Sequence, residues 1–263
     1  VLMILFFFLS HLGVGIAFAL AFVSREVGVK FFRFNAGLAA ILTAVALAFF
    51  PGLDRLDGLD GLDGIGLIVL GVCEAALVVH WATVGRSLAR IRPAIVAAAA
   101  GGGVAALVLQ AFAVSAGDSV PIKLLTVASF LSSAALLGGA CTAMSLGHWY
   151  LVIPSIEIRH LQSIVKVHIA SMVVRIAVVG AAVFAGLALS GAGPAAGIGS
   201  FRHYITSLDG IFFWQRVLFG LAGPAVLSYL TWETAKIRST QSATGILYVD
   251  FFTVVVGEVL AKY

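Results

Sequence analysis

The chain predicts an all-α polytopic membrane bundle of about eight transmembrane helices, and three observations carry that reading. Of its 263 residues 61% are apolar and only 11% are charged. The mean hydropathy is +1.11. The apolar residues fall into stretches of membrane length, separated by charged or Gly/Pro-rich breaks. A soluble domain carries roughly a quarter charged residues, so this chain has less than half the charge needed to cover a water-facing surface. A soluble globular enzyme and a disordered chain are excluded. So is nucleic-acid binding, because the net charge of +4 is spread over loops and forms no basic stripe. Cys73 and Cys141 both lie within apolar runs, which leaves no disulfide framework and no cysteine-ligated metal or iron–sulfur centre.

A hydrocarbon core about 30 Å thick needs about 20 apolar residues per helix. Such stretches run over residues 1–24, 31–50, 65–84, 94–115, 124–147, 163–188, 211–235 and 243–261, within a single integral-membrane domain covering 1–263. The first reads as a span and not as a secretory signal, because it has no basic n-region and seven comparable spans follow it. The seventh contains Gly220-Leu221-Ala222-Gly223-Pro224, which predicts a kink whose freed carbonyls must be satisfied locally. The stretch around residues 189–210 reads as the longest loop.

Orientation follows from Lys and Arg. The loops after spans 1, 3, 5 and 7, with their flanking turns, hold ten of them: Arg25, Lys30, Arg33, Arg86, Arg90, Arg92, Arg159, Lys166, Lys236 and Arg238. The opposite side holds five, Arg55, Lys123, Arg202, Arg216 and Lys262, with Arg175 left in mid-membrane. This predicts a cytoplasmic basic face and outward termini. The loop at 53–64 places an Asp at every third residue. It reads as a solvated acidic turn, since a calcium loop would alternate its ligands and finish on a bidentate Glu; a docking surface for an outward partner subunit is the weaker alternative.

Ionisable residues inside spans are costly, so each is a candidate for function. Glu74 lies near the middle of span 3, where a carboxyl suits proton transfer or simple neutralisation by a neighbouring helix. Span 6 carries His168, Ser171, Met172 and Arg175 on one face, which must point into the bundle. Arg175 cannot lose its charge and needs a partner, for which Glu74 is the first candidate. His11, in Ser10-His11-Leu12-Gly13-Val14-Gly15, can hydrogen-bond a quinone carbonyl, carry a proton, ligate a haem iron or simply pack. His80 and His168 could supply two facing imidazoles to the iron of a b-type haem, though interfacial histidines beside Trp and Tyr are also what an aromatic belt contains. On span 8, Asp250 and Glu258 share one side, and Lys262 follows Glu258 at the spacing of an ion pair.

Eight spans with outward termini, His11 followed by Gly13 and Gly15, Trp214-Gln215-Arg216-Val217 in the seventh span, and Gly257-Glu258 with Lys262 closing the eighth together resemble the membrane anchor of dimethyl-sulfoxide-reductase-type and polysulfide-reductase-type iron–sulfur molybdoenzymes. That resemblance implies a subunit that exchanges electrons with membrane quinones, alongside iron–sulfur and catalytic partner subunits. Two departures stand out. The family tends to carry a His-Leu-Gly element after its second helix, where this chain has Phe49-Phe50-Pro51-Gly52-Leu53, and Gly147-His148-Trp149-Tyr150 has no counterpart in it. A diverged, haem-carrying relative would account for both.

Three readings of function follow. The first is a quinone-interacting anchor with His11, His80 and His168 near quinone or haem, and with Glu74 and Arg175 handling protons. The second is a transporter of protons or a small solute through Glu74, Arg175 and Asp250, although no internal repeat of the kind such folds show is evident. The third is an assembly subunit whose histidines only pack.

Overall fold

The computed structural model describes residues 1–50, 61–86, 90–153, 155–189, 194–207 and 210–262. The Asp-rich loop falls largely outside these. Every regular element among the described residues is helical: α1 (Leu2–Leu20), a 3-10 turn (Arg25–Val27), α2 (Val29–Ala48), α3 (Leu62–Thr83), α4 (Arg92–Val114), α5 (Val120–Val152), α6 (Arg159–Leu189), α7 (Pro194–Thr206), α8 (Gly210–Val217), a π turn (Leu218–Ala222), α9 (Gly223–Lys236) and α10 (Thr240–Leu260). Eight helices among the described residues are long and apolar enough to cross a membrane, counting α8, the π turn and α9 as one span. The chain is an integral membrane protein, and many of its large hydrophobic side chains, such as Ile41, Ile68, Val173 and Phe252, are exposed on the outside of the bundle. Lipid covers such faces, whereas in water they would be a liability.

The helices alternate in direction. Arg33 Nη2 on α2 donates to the Val84 carbonyl just past α3 (2.7 Å), and Phe6 near the start of α1 meets Phe50 just past the end of α2 (5.1 Å between ring centroids). Both termini therefore share one end, and the basic loops share the other. α1 packs against α2, α4 and α5, and α5 in turn against α6 and α10, so α1 and α5 form the centre. Glycine makes their contact possible. An added Cβ at Gly15 would overlap the Ala134 carbonyl, and one at Gly138 would overlap the Gly15 backbone. With no hydrophobic drive between helices in lipid, this close backbone approach supplies the dispersion contacts that hold them together.

The predicted kink in span 7 is a π turn. Pro224 has no N–H to continue the α ladder, and the Gly223 N–H reaches back five residues to the Leu218 carbonyl. The widened turn presses Gly220 onto Gly257 of α10, with an added Cβ at Gly220 only 3.1 Å from the Gly257 Cα. The 189–210 stretch is not the loop that its Gly/Ala content predicts, because it contains α7. There Phe201 and Tyr204 pack edge-on against Phe213 of α8 (5.4 and 6.3 Å), and Trp214 Nε1 donates to the Ile205 carbonyl (2.9 Å). The helical period of these aromatics was masked by the small residues before them.

Gly138→Ala is expected to lose about 1–3 kcal/mol of stability by overpacking, whereas Gly180→Ala, where nothing lies within 4 Å of an added Cβ, is expected to lose none. Thermal unfolding of the two variants in detergent checks this, with a lowered midpoint expected for the first alone.

Candidate functional site

The stripe expected on α6 does face inward. His168, Met172 and Arg175 are 0%, 2% and 3% exposed, and Ser171 lies beside them. Arg175 meets Glu258 of α10: Nε donates to Oε1 (2.8 Å) and Nη2 to Oε2 (3.0 Å). Nη1 donates to the Ser129 carbonyl (2.9 Å), Ser129 Oγ (3.1 Å) and Ser132 Oγ (3.3 Å) on α5. All three guanidinium nitrogens thus have protein partners, the condition under which such a charge is tolerable there.

The network extends from Glu258 in two directions. Ser133 Oγ donates to Glu258 Oε2 (2.5 Å), and Lys262 Nζ donates both to Oε2 (3.2 Å) and to Ser133 Oγ (2.9 Å). The pairing of Glu258 with Lys262 expected from their spacing is present. Burial pushes the Lys262 ammonium below its ordinary range, with Glu258 pulling the other way. His11 Nδ1 lies 3.1 Å from Ser133 Oγ. Since the serine proton goes to the carboxylate, Ser133 accepts from His11, which assigns the imidazole proton to Nδ1. His11 Nε2 is then a lone pair buried without a partner, beside Phe130 (4.8 Å between ring centroids) and Phe7 (6.2 Å).

A second buried pair lies nearer the basic end on the same two helices. His168 Nε2 is 2.7 Å from Asp250 Oδ2, with both residues 0% exposed, and Ser228 Oγ on α9 approaches the same oxygen at 3.5 Å. α6 and α10 run parallel. Seven residues separate the two bases on α6 and eight separate the two acids on α10, about two helical turns in each case.

Two expectations are corrected. Arg175 does not pair with Glu74: α3 packs against α2 and α4, where Glu74 is half-buried and its Oε2 has no hydrogen-bond partner among the described residues. Glu258 takes the place assigned to it, because the close crossing of Gly220 and Gly257 buries the neighbouring carboxyl. Nor do His80 and His168 face each other as haem ligands. His80 lines a cavity among α1, α2 and α4, while His168 lies against Gly139 of α5 and gives its Nε2 to Asp250. The residues present do not fit a haem held by this pair. No group of three or more His, Cys, Asp or Glu able to hold a metal ion occurs among the described residues.

Two cavities border the network. One, about 480 Å³, is walled by Val178, Val179, Val183, Phe201, Phe213 and neighbours, with Ser129, Tyr204 and Arg216 as its polar points. The other, about 610 Å³, is a groove among α1, α4, α5 and α6 whose polar side chains are Ser132 and Ser171. Val178 lines both. The Arg175 guanidinium therefore touches one wall serine of each cavity. His11 lines neither, and nor does Ser133, which links it to Glu258. Arg216 lies within electrostatic range of Arg175 and Glu258. Sequence reasoning missed Glu258, Ser129, Ser132 and Ser133 as a unit. The signal for it was the serine face on span 5, at the spacing of one helix side, and the matched ladders on spans 6 and 8.

No protein-family model and no curated protein matches the chain.

Glu258→Gln is expected to cost about 3–5 kcal/mol, because it strands Arg175 in the bilayer, and Glu258→Leu combined with Arg175→Met is expected to recover much of that loss. Unfolding of the single and double variants in detergent checks the coupling. Equal losses in both would show that the pair is not the relevant unit.

Proposed function

We propose that the chain is a quinone- or quinol-handling membrane subunit of an electron-transfer complex. The observation that carries this reading is the junction of a buried acid–base network with an apolar cavity whose polar points are Arg216, Tyr204 and Ser129. The cluster of Arg175, Lys262 and Glu258 holds two positive charges against one negative, and Arg216 adds a third cation beside it. Such a field favours negative charge developing on a ligand oxygen in a site of low dielectric. The apolar walls suit a flat ring and its prenyl chain, and the groove that shares Val178 gives the chain a lateral path toward lipid.

Reducing a quinone to a quinol takes two electrons and two protons. The electrons would come from a redox partner, and iron–sulfur and catalytic subunits are the partners the sequence resemblance implies. The chain's own groups able to exchange a proton are His11 and Glu258, joined by Ser133, while Arg175 carries no proton onward and acts as a fixed positive charge holding Ser129 at the cavity wall. His11 serves as proton acceptor through its free Nε2. The excess of Lys and Arg at one end supports a cytoplasmic placement of that end and outward termini.

The His168–Asp250 pair supports a second reading, a proton transporter, because it extends titratable groups from the Glu258 level toward the basic end. Proton uptake into vesicles by the isolated chain, with no redox partner present, would favour it.

A photoreactive quinone analogue is expected to label the cavity between α5, α6, α7 and α8. Arg216→Leu is expected to weaken its binding about 10-fold or more, the loss of one charge-assisted hydrogen bond. Labelling scattered over lipid-facing positions, or affinity unchanged in Arg216→Leu, would reject the quinone reading. His11→Ala is expected to slow quinone-linked turnover of the complex while leaving analogue binding unchanged; loss of binding with turnover per bound quinone unchanged would instead place His11 in the binding site.

A further inference from the structure

A third cavity, about 270 Å³, opens near the basic end, remote from the network above. Its walls come from the end of α1, the start of α2, the end of α3 and the start of α4, and its polar members are Arg25, His80 and Arg92. His80 is 3% exposed, yet both of its ring nitrogens lack a hydrogen-bond partner among the described residues. The Nε of Arg92 is likewise buried without a partner. None of the described lining residues is acidic.

Buried polar groups are almost always hydrogen-bonded, and an imidazole with neither nitrogen used is a rare arrangement. Two guanidinium groups, which only donate, and an imidazole N–H, gathered among the described residues without a carboxylate, suit an oxyanion with several acceptor atoms. The volume suits one tetrahedral group, and guanidinium geometry matches its oxygens two at a time. Leu20, Val23, Phe32, Val84 and Val96 supply apolar walls on the membrane side. We infer that this cavity is a phosphate-binding site, occupied by the phosphoryl group of an anionic phospholipid or by free phosphate. His80, expected from the sequence to meet haem or quinone, becomes one of its donors.

The full chain purified in mild detergent tests this by native mass spectrometry after exchange into phosphatidylglycerol or phosphatidylcholine, and by calorimetric titration with inorganic phosphate. One retained phosphatidylglycerol with no response to inorganic phosphate identifies a lipid headgroup site; a calorimetric response to inorganic phosphate identifies a site open to the free anion; both support the inference. Arg92→Gln and Arg25→Gln are each expected to weaken binding about 10-fold. Lys30→Gln, on the same end but outside this cavity, is expected to leave it unchanged. Arg25 is exposed, so its variant remains informative if changing Arg92 or His80 impairs folding. Absence of binding by either probe, or an equal loss in Lys30→Gln, would overturn the inference.

Discussion

The architecture turns on a guanidinium that cannot be neutralised. Arg175 brings a permanent charge into a medium where an unpaired one is tolerated only at a cost of several kcal/mol, and the bundle is arranged to surround it. Glu258 supplies the counter-charge, Ser129 and Ser132 take the remaining donors, and Ser133 with Lys262 fixes the other side of the carboxyl. Four helices, α1, α5, α6 and α10, are thereby fastened at one level. Glycine explains why they come close enough: Gly15 against Gly138, and Gly220 against Gly257, remove the side chains that would hold the backbones apart.

The same constraint links structure to chemistry. Salt bridges in lipid can be entirely structural, but this one is bordered by two cavities through two of the serines that satisfy it. Its charges do not cancel, and it ends on an imidazole with an unused lone pair.

Much of the fold was legible because membrane length and apolar composition are coarse signals, and the eight spans lie where runs of apolar residues place them. The inward stripe on α6 and the break at Gly220–Pro224 were legible from helical period and from the missing proline N–H. The pairing of helices was not. Arg175 and Glu258 lie 83 residues apart, and nothing local to either identifies the other. Glu74 drew attention as the most central acid in the sequence, yet depth along one helix does not say which neighbours that helix will have. α7 was obscured because small residues carry no period, so its aromatic half was read with its Gly/Ala half.

The order of these residues along the chain also bears on how the protein is made. Arg175 leaves the ribosome 83 residues before Glu258, which at 5–20 residues per second is roughly 4 to 17 seconds. During that interval α6 is either held within the insertion machinery or rests in the bilayer with its cation shielded only by the serines of α5. The closing helix therefore brings the counter-charge last: until it arrives the nascent bundle carries an uncompensated cation, and afterwards it does not.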